Sequence, residues 1–202
     1  GDDSHSNGSY DLYAQRVNAE GVIQWDTNGV AICTDPAHLT SADLVSDGRG
    51  GAIIMWEDWR AGVPGYPDIY AQRITASGAV QWTTDGAPVC TASGGQYEPR
   101  VVGDGVGGAI IVWSDFHSLP LTDYDIYAQR IDSTGATLWT LNGVAISIAP
   151  NYQRFPAIIG NGAGGAIITW EDWRRSNNYD VYAQQISANG ILGQIMDVAD
   201  HK

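Results

Sequence analysis

Two segments organise the chain: Gly50-Gly51-Ala52-Ile53-Ile54-Met55-Trp56-Glu57-Asp58-Trp59-Arg60 and, after a short loop, Asp68-Ile69-Tyr70-Ala71-Gln72-Arg73-Ile74. Both return twice. The tryptophan at position 56 recurs as Trp113 and Trp170, at intervals of 57 residues, and the second segment recurs at 125–131 and 180–186. Self-similarity at a fixed period is the signature of a repeat architecture. The sequence therefore predicts a structural unit that is used several times.

The composition is that of a globular protein rich in β-structure. Of the 202 residues, 44% are hydrophobic and 16% are charged, which excludes a disordered chain. The 8 Trp and 10 Tyr favour strands, and the 25 Gly suit the tight turns between them. We predict an all-β fold.

The charge of the chain limits its partners. A formal net charge of −13 would repel a phosphate backbone, so we expect no nucleic-acid ligand. The sequence contains no apolar run of about 18 residues, so we expect no membrane insertion. Gly1-Asp2-Asp3 reads as a processed or cut end and says little about secretion.

The two cysteines occupy equivalent positions in successive units, because Cys33 and Cys90 are 57 residues apart. Such positions normally lie beyond the roughly 7 Å Cα separation that a disulfide allows. We therefore predict two buried free thiols, in preference to a disulfide or a metal pair. No CxxC or spaced His/Cys cluster supports zinc, and we expect no cofactor. A calcium ion held between units is the alternative, since the chain has 19 aspartates.

Each unit is predicted to contain four strands: A around Leu44, B at 52–59, C at 68–74 and D at 79–82. Strand B carries apolar side chains on both faces, so its sheet must be covered on both sides. Four-stranded units of this size, stacked side by side around an axis, are the blades of a β-propeller. A stacked solenoid is the alternative, although its repeats usually contribute one or two strands each.

The strand pattern divides the chain into a half blade and three blades of four antiparallel strands. The half blade (strands C and D) and its connector occupy 1–42, blade 1 occupies 43–82, blade 2 with its connector 83–139, and blade 3 with its connector 140–202. Known rings need at least about four blades. Closure would therefore need upstream residues, a second copy or another chain. Because Gln185 and Gln194 replace the arginine and the strand-D tryptophan in the last unit, we expect the parent protein to extend on the N-terminal side.

Several motifs carry a resemblance to a known family: Pro99-Arg100-Val101-Val102, residues 107–113, Asp115, Asp125-Ile126-Tyr127 and residues 135–139. Together they resemble the blade of sialidase-type β-propellers. The Asp box of that family, Ser-x-Asp-x-Gly-x-Thr-Trp, is degenerate at 132–139, with one extra residue between glycine and tryptophan. The chain is also similar to repeat arrays of large secreted bacterial surface proteins. The resemblance implies a propeller that is secreted or displayed at the cell surface.

The polar residues that recur in every unit are interpreted as structural, because a catalytic site in a propeller is asymmetric. We expect each repeated aspartate to pair with an arginine and a tryptophan and so to satisfy buried polar groups. The predicted network consists of Trp56, Asp58, Arg73, Trp113, Asp115, Arg130, Trp170 and Asp172.

Residues that break the repeat are the candidates for function. The B–C loops and the D–A connectors are long, and alternating strand direction places both on one face, where binding usually occurs. Aromatic rings beside Arg, Gln and Asp suit a sugar, which stacks its apolar face and hydrogen-bonds its hydroxyls. The alternative is that these loops cover blade edges or touch a neighbouring domain. The candidate ligand-binding residues are His38, Arg60, Tyr66, Gln96, Tyr97, His117, Tyr124, Tyr152, Arg154, Arg174 and Tyr179.

Catalysis has little support in the sequence. The sialidase resemblance implies three arginines, a tyrosine nucleophile and an acid, but no residue here matches those motifs one by one, and we assign no catalytic residue. The chain has only four glutamates, of which Glu57 and Glu171 are repeat-equivalent. We predict a non-catalytic binding or scaffold module with a glycan or protein partner. The alternatives are a fragment of a sialidase-like glycoside hydrolase and a structural array that self-associates through open blade edges.

Overall fold

The computed structural model describes residues 10–60, 65–116, 123–175 and 178–197. These residues form fourteen β-strands and no helix. In chain order the strands are β1 Leu12–Ala14, β2 Val30–Cys33, β3 Leu39–Ser46, β4 Ala52–Asp58, β5 Asp68–Ile74, β6 Ala87–Cys90, β7 Gly95–Gly103, β8 Ala109–Phe116, β9 Tyr124–Ile131, β10 Val144–Ser147, β11 Gln153–Gly160, β12 Ala166–Asp172, β13 Asp180–Ile186 and β14 Leu192–Asp197.

The strands form three four-stranded antiparallel sheets and one two-stranded sheet. The sheet orders are β3-β4-β5-β6, β7-β8-β9-β10 and β11-β12-β13-β14, so neighbours in each sheet are consecutive in the chain. We call these sheets blades 1, 2 and 3, and we call the pair β1-β2 the half blade. The predicted fold class, all-β with four-stranded antiparallel blades and one half blade, is confirmed.

The blades pack face to face, and their second strands are buried on both sides. In β4, the side chains of Ile53, Met55 and Trp56 are completely buried and Ile54 is 4% exposed. One apolar core lies between the half blade and blade 1, a second between blades 1 and 2, and a third between blades 2 and 3. The first strands of successive blades contact one another, β3 with β7 and β7 with β11, so these strands are the innermost.

The fourth strands of blades 1 and 2 are not where the sequence predicted them. The segment 79–82 makes only one isolated bridge to strand C, between Val80 and Ile74. The fourth strand of blade 1 is β6, which lies within the predicted connector. The predicted boundary after residue 82 therefore falls inside the sheet of blade 1, and the boundary after residue 139 falls inside the sheet of blade 2.

A side chain explains this shift. The Gln72 Oε1 atom accepts hydrogen bonds from the backbone N–H groups of Arg73 and Trp82, at 2.9 and 2.8 Å. Its Nε2 atom donates to the Thr83 carbonyl at 2.8 Å. The glutamine thus holds the segment after strand C beside the sheet through its side chain, and regular ladder pairing resumes only at Ala87. Gln129 makes the equivalent contacts in blade 2.

Each joint between blades is closed by one backbone carbonyl that accepts two hydrogen bonds. Arg73 Nη1 and Trp82 Nε1 both donate to the carbonyl of Ser133 in the next blade, at 3.2 and 3.1 Å. We call this arrangement the Arg–Trp contact. It recurs at the other two joints, where the donors are Arg16 with Trp25 and Arg130 with Trp139 and the acceptors are Ala76 and Ala188.

The repeated aspartates bind tryptophan as expected but not the predicted arginines. Trp56, Trp113 and Trp170 donate their Nε1 hydrogens to Asp58, Asp115 and Asp172 at 2.8 to 2.9 Å. Arg73 and Arg130 lie at the opposite end of the sheet and pair with Asp47 and Asp104. The arginines paired with Asp58 and Asp172 are Arg60 and Arg174, which follow two residues later.

We predict that Gly86→Ala is far more destabilising than Gly48→Ala. Both glycines have positive φ, +97° and +72°, so both substitutions strain the backbone by about 1 kcal/mol. A Cβ at Gly86 would lie 2.5 Å from the buried Trp56 indole, whereas a Cβ at Gly48 meets nothing within 4 Å. In urea denaturation, the free energy of unfolding should fall by roughly 1 to 3 kcal/mol more for Gly86→Ala than for Gly48→Ala. Equal losses would contradict the packing of Trp56.

Candidate functional site

One end of the blades carries the B–C loops together with the D–A connectors, and we call it the loop face. The connectors are shorter than predicted, covering only 34–38, 91–94 and 148–152. The longest connections are the C–D loops of the half blade and of blades 1 and 2, 15–29, 75–86 and 132–143, at the opposite end. The two sets share one face as expected, but the connectors are not long, because the fourth strands β2, β6 and β10 lie within the segments predicted as connectors.

A continuous series of aromatic rings crosses the loop face from blade 1 to blade 3. We call it the aromatic row, and it consists of Tyr66, Phe116, Tyr124, Tyr152, Trp173 and Tyr179, with Tyr97 packed against Tyr124. Successive ring centroids lie 5.0 to 6.2 Å apart. Tyr97 lies 5.9 Å from Tyr124. Most of these rings are half-buried, and Tyr179 at the end of the row is 57% exposed. The structure thus brings five predicted residues into one cluster.

Arg154 lies at the centre of this cluster. Its guanidinium carbon is 4.3 Å from the centroid of the Tyr124 ring and 4.8 Å from that of Phe155, both within cation–π range. Its Nη2 atom donates to Glu98 Oε1 at 3.0 Å, and about a third of the side chain is exposed. The arrangement places a planar donor, a carboxylate and aromatic faces side by side.

The inner strands beneath the row share a strained bulge. Ser41, Glu98 and Phe155 are repeat-equivalent, and they have φ of 53°, 57° and 55° where the ladder to the next strand shifts register. Carboxylates from the preceding blade bind the backbone N–H of two of these bulges. Glu57 Oε1 accepts from Glu98 at 2.8 Å, and Glu98 Oε2 accepts from Phe155 at 3.2 Å. These contacts hold Glu98 and Arg154 in place.

Two tyrosine hydroxyls in the cluster, those of Tyr97 and Tyr124, are held in their protonated form. Burial, reinforced by neighbouring Tyr124, Tyr66 and Glu57, raises the pKa of Tyr97 to about 12. Burial also raises the pKa of Tyr124, although the positive charge of Arg154 opposes this effect. Both groups therefore remain hydrogen-bond donors at neutral pH.

Two predicted ligand-binding residues bind groups within the blades, and a third is buried. Arg60 donates to Asp58 at 2.8 Å and to the Asp85 carbonyl at 2.6 Å, and its guanidinium lies over Tyr70. Arg174 contacts Asp172 and the Tyr182 ring in the equivalent way. Gln96 is completely buried. The two arginines therefore serve the sheet ends, and Gln96 is not accessible to a ligand.

Of the two remaining predicted ligand-binding residues, one lies apart from the cluster and the other lies outside the residues that the structure describes. His38 is exposed and packs between Tyr10 and Trp59, at centroid distances of 5.4 and 6.4 Å, in a separate group at the half blade. His117 lies outside the described residues.

Sequence reasoning missed Phe116, Trp173, Phe155 and Glu98. The sequence contains a pattern that could have identified the first two, because the residue directly after each repeated aspartate is aromatic: Trp59, Phe116 and Trp173. Phe155 and Glu98 had none, because their roles depend on the bulge and on contacts across a joint.

Cys33 and Cys90 are buried free thiols, as predicted. Burial raises the pKa of Cys33 to about 11 and that of Cys90 to about 12. In the part of the chain that the structure describes, no group of three or more His, Cys, Asp or Glu residues could hold a metal ion.

Comparison with known proteins supports the fold. No protein-family model matches the chain, and no curated protein matches it. A solved structure of an α-L-arabinofuranosidase from Fusarium graminearum, in complex with an iminosugar inhibitor, is similar with a TM-score of 0.58 and 11% sequence identity. The match covers 95% of this chain and 54% of that one, so this chain spans about half the length of the matched structure.

At this low identity the likeness concerns the fold alone, and the chain is β-propeller-like. Among the described residues, none belongs to a helix with the length and apolarity needed to cross a membrane.

The Asp58–Asp68 pair at the loop-face end of blade 1 generates a pH prediction. These residues are opposite each other in the β4–β5 ladder, and Asp68 is 7% exposed. Burial, and then the charge of Asp58, raise the pKa of Asp68 to about 6 although Arg60 opposes the shift. The folded state therefore favours the neutral form.

We predict that Asp68→Asn becomes more stabilising as the pH rises from 4 to 7. The folded pKa is raised, so the stability that neutral Asp68 contributes is present at low pH and lost as the pH rises through about 6. The variant avoids this loss, which is about 2 to 3 kcal/mol. Denaturant unfolding at both pH values measures it.

Asp132→Asn is the matched control for the Asp68 variant. Hydrogen bonds from the Thr134 side chain and backbone lower the pKa of Asp132, so its contribution must change with pH in the opposite direction. A pH-independent difference for Asp68→Asn would contradict the raised pKa.

Reaction of the two thiols with a disulfide reagent gives a second prediction. Because the thiolate is the reactive form, Cys33 and Cys90 should remain unmodified at pH 8 in the folded protein and react once urea unfolds it. Rapid labelling of either thiol in the folded state would contradict its burial.

Proposed function

We propose that this chain is a non-catalytic glycan-binding module of a secreted or cell-surface protein. The observation that carries the proposal is the aromatic row, which crosses three blades on the loop face with Arg154 and Glu98 beside it.

The chemistry of the row suits a sugar. A sugar ring presents an apolar face that stacks on an aromatic ring, and Tyr179 is sufficiently exposed to receive it. The hydroxyls of the sugar need donors and acceptors in fixed positions. The protonated Tyr97 and Tyr124 hydroxyls and the Arg154 guanidinium lie together and can supply them.

The extent of the row favours an oligosaccharide over a monosaccharide. Its rings belong to blades 1, 2 and 3, with crossings between blades at Tyr66–Phe116 and at Tyr124–Tyr152. A chain of several sugar units could therefore contact more than one blade, and each contact would add binding energy without a deep pocket.

Binding is favoured over hydrolysis because the Glu57 and Glu98 carboxylates already accept hydrogen bonds from other groups of the protein. A glycosidase needs two carboxyl groups directed at the scissile bond. Glu57 accepts hydrogen bonds from the Glu98 backbone and Thr40, and Glu98 accepts from Arg154, Ser114 and the Phe155 backbone. These oxygens support the inner strands. The similar structure is nevertheless an arabinofuranosidase, which makes arabinofuranosyl glycans the first ligands to test.

The test is a glycan array that includes arabinofuranosyl oligosaccharides, probed with the wild-type chain and with Tyr179→Ala. We expect binding that weakens by about fivefold in the variant, since a stacking ring contributes on the order of 1 kcal/mol. Tyr13→Ala is the control, because Tyr13 is 45% exposed on the half blade and lies outside the row.

Two results would reject the proposal. One is a blank array both with calcium and after chelation. The other is turnover of a chromogenic arabinofuranoside or sialoside, which would favour the hydrolase alternative. Equal loss of binding in Tyr13→Ala and Tyr179→Ala would place the ligand elsewhere on the chain.

A further inference from the structure

The three Arg–Trp contacts share an acceptor turn with a glycine beneath the indole. In the turn of blade 1, Ala76 supplies the carbonyl and Gly78, at φ +85°, lies below the Trp25 ring. A Cβ at this glycine would lie 3.0 Å from the ring, and the values at Gly135 and Gly190 are 2.8 and 3.0 Å. The glycine is thus needed both for its φ and for the space it leaves.

The half blade contains a fourth copy of this turn. Gly21 has φ +80° and donates its N–H to Asn18 at 3.0 Å, as Gly78 donates to Thr75 at the same distance. Ala19 occupies the position of the acceptor Ala76, 57 residues earlier. Within the described residues, nothing lies within 4 Å of a Cβ built at Gly21. The turn has the form of an acceptor but no indole covers it there.

The neighbouring surface of the half blade is also open. Tyr13 is 45% exposed and Val17 is 55% exposed. Their equivalents in blade 3, Tyr182 and Ile186, are 5% and 0% exposed because blade 2 packs on them. In the described residues β1 pairs with β2 alone, and a cavity of about 240 Å³ lined by Leu12, Leu39 and Trp56 lies beside it.

We propose that the half blade is a docking surface for one further blade of this repeat, whose third strand carries an arginine and, nine residues later, a tryptophan. The tryptophan lies on Gly21, and both side chains donate to the Ala19 carbonyl. The added repeat also supplies a first and a second strand, which pair with the half blade to complete a four-stranded sheet and fill the cavity. The interface is continuous with the three that the chain already contains.

A second copy of this chain does not fit that surface. The outer face of blade 3 is also open, with Ile167 38% and Val181 43% exposed. However, Gln185 and Gln194 stand at its donor positions. The three Arg–Trp pairs of the chain are all engaged at internal joints. The donors must therefore come from an additional repeat.

The experiment compares the chain with an extended form in which a duplicate of residues 67–123, one full period, precedes Tyr10. The duplicate supplies two inner strands and the Arg73–Trp82 donor pair. We expect the extended chain to have a higher Tm and a Gly21 amide that is more strongly protected from hydrogen exchange. A duplicate that carries Arg73→Gln and Trp82→Gln, which reproduces the residues of blade 3, should lose most of the gain.

Gly21→Ala separates the contact from backbone strain. Gly48 has φ +72° and the same open space, so Gly48→Ala is the matched control. In the unextended chain both substitutions should lower Tm to a similar small extent. In the extended chain Gly21→Ala should lower it by about 5 °C more than Gly48→Ala, because a methyl group then meets the indole.

Equal effects of the two substitutions in the extended chain, or no gain in Tm from the duplicate, would overturn the proposal. Light scattering of the unextended chain tests whether a second copy of the chain covers the half blade instead. A dimer that Gly21→Ala dissociates would show that a second copy covers the surface, and this result would also overturn it.

Discussion

One backbone carbonyl at each joint fixes how the blades stack. The apolar faces between blades supply most of the association energy, but burial of Ile, Val and Ala side chains is non-directional. The Ser133 carbonyl accepts from both Arg73 and Trp82, and this pair of hydrogen bonds sets the position of one sheet on the next. Because Asp47 orients the arginine and Gln72 orients the tryptophan backbone, a change in any of these residues alters the whole joint.

This constraint divides the molecule into two ends with different tasks. The Arg–Trp contacts, the glutamine contacts and the Arg73–Asp47 and Arg130–Asp104 pairs lie at the C–D end, where the three joints share the same Arg–Trp contact. The loop face carries the residues that differ between blades, such as Glu98, Arg154 and Phe155. A repeat whose geometry is set at one end leaves the other end free to vary, and the aromatic row occupies that end.

The placement of the fourth strand shows why local pattern is not sufficient. Residues 79–82 have the alternation and the tryptophan of a strand, and the sequence therefore predicts one. In the structure Gln72 binds the backbone of Trp82 and Thr83, so the ladder is interrupted and resumes at β6. A side chain that replaces a ladder hydrogen bond acts between residues about ten positions apart, and such a contact cannot be predicted from the hydrophobic periodicity. The same limit applies to Arg60 and Arg174. The sequence shows that each lies two residues after an aspartate, but not that its side chain is mostly buried and paired with that aspartate.

The sequence by itself determined the repeat period, the all-β class, the both-sided burial of β4 and β8, and the free thiols, because each follows from residue type and spacing along the chain. It also indicated that Tyr97, Tyr124, Tyr152 and Arg154 belong to one end. Only the tertiary structure decided that these side chains meet in a continuous row, that Gln96 is buried, and that Glu98 binds Arg154 and the Phe155 backbone. These features depend on which blade faces which, and that is fixed by contacts between residues about 57 positions apart in the chain.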